Sequence, residues 1–240
     1  HYWFLARYTE HLRAKYDYGD ARLLDSREIR NHLETSRYHG GCLDQSAGHL
    51  HPLKFALGLG QAAADAGVSI YHQSKVTNIH RKGGQSLIRT DHGQLITPIV
   101  VLACNGYLGN LEPRLTGAIM PINNFMLATE SLGEERARNL IRNDVAVSDT
   151  KFVVDYFRMS PDHRLLFGGG ENYTRRFPTD IKSFVRRYML RVFPQLSEVC
   201  VDYAWGGTLA ITRSRLPLFG RLEGDTYYAL GYSGQGVALA

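Results

Sequence analysis

Between residues 52 and 67 the chain reads PLKFALGLGQAAADAG, and Gly58, Gly60 and Ala63 match the G-x-G-x-x-G/A pattern of dinucleotide-binding turns. In a working turn of that kind a strand ends just before the first glycine, so that the loop exposes backbone N–H groups where a helix begins. Here the six preceding residues already carry helical spacing. Leu53, Ala56, Leu57, Gly60, Ala63 and Ala64 recur at intervals of three and four. Pro52 suits the first helical position, where its missing N–H costs nothing. Gly67 suits the residue just past the end. The acidic residue that normally follows about 20 positions later is replaced by His80, Arg81 and Lys82. The stretch is therefore predicted as one helix over 52–66, with Gly60 and the alanines letting a neighbouring element pack closely.

The segments around this helix set its class. The first forty residues read as helices, with an N-cap at Asp25 or Ser26 and Glu28 in the following first turn. Residues 38–51 read as a glycine-bent strand and loop. After the helix come strands at 68–72, 76–80 and 86–90, with hairpin turns at Gly83-Gly84 and His92-Gly93. LITPIVVLAC follows as a further strand ending in Asn105-Gly106, and its IVVLACNG part is apolar without alternation, as in a buried parallel strand. From Leu108 to Gly206 the pattern turns β-rich, in INNFMLAT, KFVVDYFRMS, RLLFGGG and VCVDYAWGG, which implies a mixed, largely antiparallel sheet. The last segment runs through a strand at TYYALGY and a glycine turn, SGQGVALA, which starts a helix.

Composition excludes several classes. With 240 residues and 44% hydrophobic content, the chain can bury one large core or two smaller ones. Cys42, Cys104 and Cys200 are odd in number and scattered, which opposes a disulfide framework or zinc site and favours a reducing, cytoplasmic setting. A metal site from Cys42, Asp44, His49 and His51 has poor ligand spacing. No apolar run is long enough to span a bilayer. The opening His1-Tyr2-Trp3-Phe4 lacks a signal-peptide layout, and the absence of an initiator Met reads as a chain beginning inside a longer protein. The net charge of +5 gathers at Arg175, Arg176, Lys182, Arg186, Arg187 and Arg191, on one face of a helix over 179–193. A solvated face explains it better than a nucleic-acid surface.

Four segments, in this order and spacing, carry a resemblance: GHLHPLKFALGLGQAAADAGVSIYHQSKVTNI, IVVLACNGYLG, GGTLAITRSRLPLFGRL and YYALGYSGQGVALA. Together they resemble the D-amino-acid-oxidase family of FAD-dependent oxidoreductases over essentially the whole chain. CLDQSAGHLHPLK, FRMSPDHRLLFGGGENY and WGGTLAITRSRLP are most similar to its gamma-glutamylputrescine-oxidising branch. The resemblance implies an α/β fold in which an incomplete FAD/NAD(P)-binding domain is interleaved with a mixed-sheet (α+β) substrate domain. On that reading 1–45 and 108–216 belong to the substrate domain, and 46–107 and 217–240 to the FAD portion. The family's N-terminal G-x-G-x-x-G unit has no counterpart within these residues, so the chain resembles a fragment.

The family likeness also implies roles for particular residues. Val76 matches a valine whose backbone reads the adenine. Ala103, Cys104, Asn105 and Gly106 match the small-residue turn beside the nucleotide, where close backbone approach is needed. Gly234, Gln235, Gly236 and Val237, with Ser233, match the helix start aimed at the flavin pyrimidine, whose positive end favours charge gathering there. Leu209, Ile211 and Thr212 match the segment crossing near the flavin, and the absence of cysteine in that segment implies non-covalent FAD. On the substrate side, His49 and His51 precede the helix at Pro52, and Tyr156 and Arg158 lie on a β-rich segment. His49 could tune amine protonation, and Arg158 could pair with a substrate carboxylate. The expected reaction is C–N oxidation of a small-molecule amine, giving imine or aldehyde with oxygen as acceptor. The alternatives are a sarcosine- or D-amino-acid-type dehydrogenase and a truncated, non-catalytic domain.

Overall fold

A computed structural model describes residues 2–174 and 176–240. His1 and Arg175, both named above, lie outside the described residues. The chain divides into two units, 1–49 with 124–207 and 50–123 with 208–240. The crossings fall at 49/50, 123/124 and 207/208, against 45/46, 107/108 and 216/217 in the sequence reading. The largest difference has a packing cause. Leu108 and Leu115 are buried with Val100, Leu102 and Leu230, so the segment after Tyr107 stays with the second unit.

The first unit opens with α1 (Tyr2–Tyr16), followed by β1 (Ala21–Leu24) and β2 (Gly41–Asp44), an antiparallel pair joining Ala21 to Asp44 and Leu24 to Gly41. The helices expected through residue 40 thus stop at Tyr16. Asp25 does form a cap: its Oδ1 accepts from Glu28 N at 2.7 Å, and Glu28 Oε2 accepts from Asp25 N at 2.9 Å. That reciprocal pair starts only a single 3-10 turn, Ile29–Asn31, because Ile29 and Leu33 turn into the core and Leu33 bridges Ile141.

The second unit begins with α2 (Pro52–Asp65). His51 caps it, its Nδ1 accepting from Lys54 N at 3.4 Å, and Gly67 follows its end, as the sequence indicates. The glycine expectation is not met. A Cβ built on Gly58 or Gly60 has nothing within 4 Å, and no residue of α2 is buried. Two antiparallel pairings join β3 (Val76–Lys82), β4 (Gln85–Thr90) and β5 (Gln94–Thr97), with Gly83-Gly84 as the two-residue loop opposite Lys82 and Gln85. The strand expected at 68–72 is absent. A strand exists by pairing, and no described strand takes this segment as a neighbour; Tyr71 is 78% exposed. Pro98 divides the long apolar run, so that β6 (Val100–Leu102) leaves the β3–β5 sheet and pairs parallel with a late strand. After α3 (Pro113–Thr116), β7 (Met120–Ser131) carries the chain into the first unit.

There α4 (Glu134–Leu140), β8 (Val147–Ser148), β9 (Tyr156–Met159), β10 (Arg164–Asn172), α5 (Ile181–Val192) and β11 (Val201–Ile211) follow. The sheet order is β11-β7-β10-β9-β8. Alternation sorts its residues by face. Phe125, Leu127, Phe157, Met159, Leu165 and Phe167 are buried with Val185, Met189 and Val192 of α5. Asn124, Tyr156, Arg158 and Gly168 occupy the opposite face. The basic face of α5 is largely engaged within the unit: Arg186 donates to the Val199 and Ser197 carbonyls, and Arg187 stacks over Phe184 and Tyr188. The chain then returns to the second unit for β12 (Leu218–Arg221), β13 (Thr226–Leu230) and α6 (Gly236–Leu239), with sheet order β12-β13-β6.

Candidate functional site

Two clusters of candidate residues form, one in each unit. In the second unit, parallel strands β6 and β13 run side by side, with Thr226 opposite Val100 and Tyr228 opposite Leu102. Both therefore end on the same side, where crevices in parallel sheets take ligands. After β6, Cys104 begins a 3-10 turn over Asn105–Tyr107, and Asn105 adopts a left-handed φ of 47°. Its Oδ1 accepts from Gly231 N at 3.1 Å, tying the turn after β6 to the turn after β13. A Cβ at Gly106 would overlap the Thr208 carbonyl, so only glycine lets this turn lie against β11. Thr208 N in turn donates to Tyr107 Oη at 3.1 Å.

The turn after β13 is pinned from the other side. Ser233 N donates to Ala210 O at 2.9 Å, and Ser233 Oγ accepts from Thr212 N at 3.2 Å. Thr212 is buried and donates its hydroxyl to Leu216 O at 2.8 Å. Ser233 and Thr212 thus hold the backbone in place through their own hydroxyls. Ile211 is buried, whereas Leu209 lies at the open turn, its Cδ1 3.9 Å from where a Cβ on Gly234 would sit. α6 is one turn long, with Gln235 at its N-cap, so any dipole at its start is that of a single turn. Its first N–H groups, from Gly236 and Val237, have no intrahelical acceptor. Ala103, Cys104, Asn105, Gly106, Leu209, Ser233, Gly234, Gln235 and Gly236 therefore come together on small residues and backbone. Val76 starts β3 in the other three-stranded sheet, opposite Thr90.

This arrangement suits a flat group that must approach backbone closely. The Cys104 thiol is pushed up by burial, which keeps it from being a ready nucleophile.

In the first unit the strand β9 presents Tyr156 and Arg158 on one face. Arg158 Nη1 lies 3.0 Å from His49 Nδ1, and His49 Nε2 lies 2.8 Å from Asp144 O. The guanidinium can only donate and the carbonyl only accept, so in this arrangement Nδ1 faces a donor and Nε2 an acceptor. Both ring nitrogens are engaged, and the imidazole holds Arg158 in place. Asp144 sits in a turn where Asn143 and Asp144 have φ of 63° and 49°. A cavity of about 710 Å³ opens here, lined by His49, Arg138, Arg142, Asp144, Arg158 and His163 among others. Its charge is mostly positive, which suits a carboxylate.

Tyr156 lies across Gly168, its partner on β10: a Cβ there would overlap the phenol ring. Its hydroxyl donates to Asn124 Oδ1 on β7. Burial pushes the phenol up to about 12, with Glu171 adding to the effect, so Tyr156 stays protonated at neutral pH. His51 joins neither cluster; its ring nitrogen is spent capping α2. Sequence reasoning missed Asn124, Gly168 and Asp144. A polar Asn in the apolar run INNFMLAT was a legible signal for the first; Asp144 meets His49 through its backbone carbonyl, with its carboxylate 4.0 Å from Nε2, and had none. Among the described residues, no group of three or more His, Cys, Asp or Glu side chains is placed to hold a metal ion. No helix among them is long and apolar enough to cross a membrane.

The chain is 41% identical over 224 residues to gamma-glutamylputrescine oxidoreductase of Escherichia coli, covering 93% of this chain and 52% of that protein. It is 39% identical over 233 residues to the probable oxidoreductase OrdL of Rhizobium meliloti, covering 97% and 54%. The chain thus spans about half the length of the curated relatives it matches. In fold it is similar to glycine oxidase from Geobacillus kaustophilus, with a TM-score of 0.80 at 20% identity over 97% of this chain and 62% of that one. The family described as DAO, FAD dependent oxidoreductase, matches residues 2–240. The chain belongs to the DAO family of FAD-dependent oxidoreductases, whose cofactor is FAD.

Proposed function

We propose that the protein carrying this chain oxidises the C–N bond of an amine that also bears a carboxylate, with gamma-glutamylputrescine as the leading substrate. The observation that carries this reading is the pair Tyr156 and Arg158 on one strand face, with Arg158 held by His49. Residues two apart on a strand lie roughly 6.6 Å apart, so one ligand can touch both. Arg158 keeps guanidinium donors beyond the one given to His49, and these can clamp the carboxylate. The 41% identity to a gamma-glutamylputrescine oxidoreductase supports the same substrate.

Bound FAD supplies the hydride acceptor. The Ala103–Gly106 turn and the Ser233–Val237 segment would hold it through backbone N–H groups and close approach, and Val76 would lie at the adenine. The segment GGTLAITRSRLP contains no cysteine, which favours non-covalent attachment. The sheet-face residues orient the amine and its α-C–H, and orientation of this kind supplies much of the rate. Hydrolysis of the oxidised product would give an aldehyde, with oxygen as electron acceptor and hydrogen peroxide formed. Three free cysteines fit a reducing compartment such as the cytoplasm.

The test is a peroxide assay on the FAD-loaded protein with gamma-glutamylputrescine, putrescine and sarcosine. Turnover is expected to favour gamma-glutamylputrescine, and Arg158→Lys should raise KM for it far more than for putrescine, which has no carboxylate. Response to none of the amines would refute the reading. A preference for sarcosine would move it to the sarcosine-type alternative.

A further inference from the structure

The orientation of one hydroxyl proton on the sheet face has consequences for what this face can bind. Tyr156 has one O–H donor and two lone pairs. Its donor is spent on Asn124 Oδ1, a residue of β7, two strands away in the order β7-β10-β9. The ring can reach that far only because β10 places Gly168 beneath it, where any side chain would collide. Three strands thus fix the phenol oxygen in place and settle which way its proton points. What remains on that oxygen is acceptor capacity.

We propose that Asn124 is a positioning residue that makes Tyr156 a dedicated acceptor for an amine N–H, so that the site selects ligands whose nitrogen can donate. This rests on the proposed reading of the face as the substrate site, and it sharpens that reading. Arg158 recognises the carboxylate, whereas Tyr156 distinguishes primary and secondary amines from fully substituted nitrogen. Positive charge alone does not satisfy an acceptor; an N–H is required. The N–H that the comparison removes belongs to an ammonium, so the hydrogen bond is charge-assisted and the preference should be about tenfold or more.

The test uses the chain with two probes, gamma-glutamylputrescine and its N,N,N-trimethyl analogue, which keeps the charge and the carboxylate but has no N–H. Calorimetric affinities give a ratio for each variant, and that ratio cancels general loss of packing. The ratio should be about ten or more in the unmodified protein and fall towards one in Tyr156→Phe and Asn124→Leu. Asn124→Asp keeps the acceptor and removes the amide donor, so it should retain the ratio. Loss of the ratio in Asn124→Asp would show that the amide N–H donates to Tyr156, and would overturn the proposal. An equal ratio in all four proteins would overturn it while leaving the substrate face intact. Failure of the unmodified chain to bind either probe would overturn both. If Asn124→Leu does not fold, judged by circular dichroism, Tyr156→Phe and Asn124→Asp decide the matter.

Discussion

The five-stranded sheet of the first unit and the β12–β13–β6 sheet of the second differ in what covers them. In the first, Phe125, Phe157 and Phe167 point at α5 and are buried at 0–2% exposure. In the second, one face packs Val100, Leu102 and Leu230, while Val101 and Phe219 on the other are each 61% exposed. α2 repeats the contrast, since Leu57 and Leu59 stand open to solvent. Parallel strands are normally covered on both faces. Unit 1 therefore keeps its fold through a closed core, with polar residues such as Asn124, Tyr156 and Arg158 on the other sheet face. Unit 2 builds its crevice from backbone and small residues.

Substitutions should separate the closed unit from the open one. The largest effect is expected at Phe167→Ala, which should cost about 3–5 kcal/mol in urea unfolding. Leu57→Ser should stay within about 0.5 kcal/mol. Equal losses at the two sites would erase the difference between closed and open units. Next comes the alkaline limb of unit 1. The folded Tyr156 phenol lies near 12 and the unfolded one near 10, so its contribution is fully present below pH 10 and is lost as pH rises through 12. Relative to Tyr156→Phe, the unmodified chain should lose about 2–3 kcal/mol across that window. A parallel pH course for the two proteins would mean the phenol is not held as described.

A smaller effect is expected at Gly106→Ala in unit 2. The added methyl meets the Thr208 carbonyl, which should cost about 1–3 kcal/mol and weaken FAD binding. Binding of an amine-carboxylate ligand in unit 1 should be unchanged. The smallest effect belongs to His51→Ala, which removes a long cap bond from α2 and should cost about 0.5 kcal/mol, read as a slight loss of helical circular dichroism.

Local chemistry made some of this architecture legible in the sequence. Pro52 and Gly67 bracket α2 because each has a specific backbone role at a helix end. Gly83-Gly84 marks the hairpin for the same reason, and period-two alternation places Tyr156 and Arg158 on one face. Features that depend on distant partners were not legible. His49 meets Arg158 across 109 positions, and no local pattern encodes that pairing. Val68–His72 has strand-like composition without a strand partner. Gly60 has the composition of a packing position but no neighbour. The G-x-G-x-x-A match inside α2 misleads for a related reason: the pattern records residue types, while the function depends on the strand that should precede them.

We propose a division of labour, with FAD held by unit 2 and the amine-carboxylate ligand by unit 1. Amide hydrogen exchange on the chain, with FAD and separately with gamma-glutamylputrescine, reads that division residue by residue. FAD is predicted to slow exchange at Ala103–Gly106 and Ser233–Val237 while leaving Tyr156–Arg158 unchanged. Gamma-glutamylputrescine is predicted to do the reverse. Protection of Tyr156–Arg158 by FAD, with none at the two turns of unit 2, would contradict the assignment.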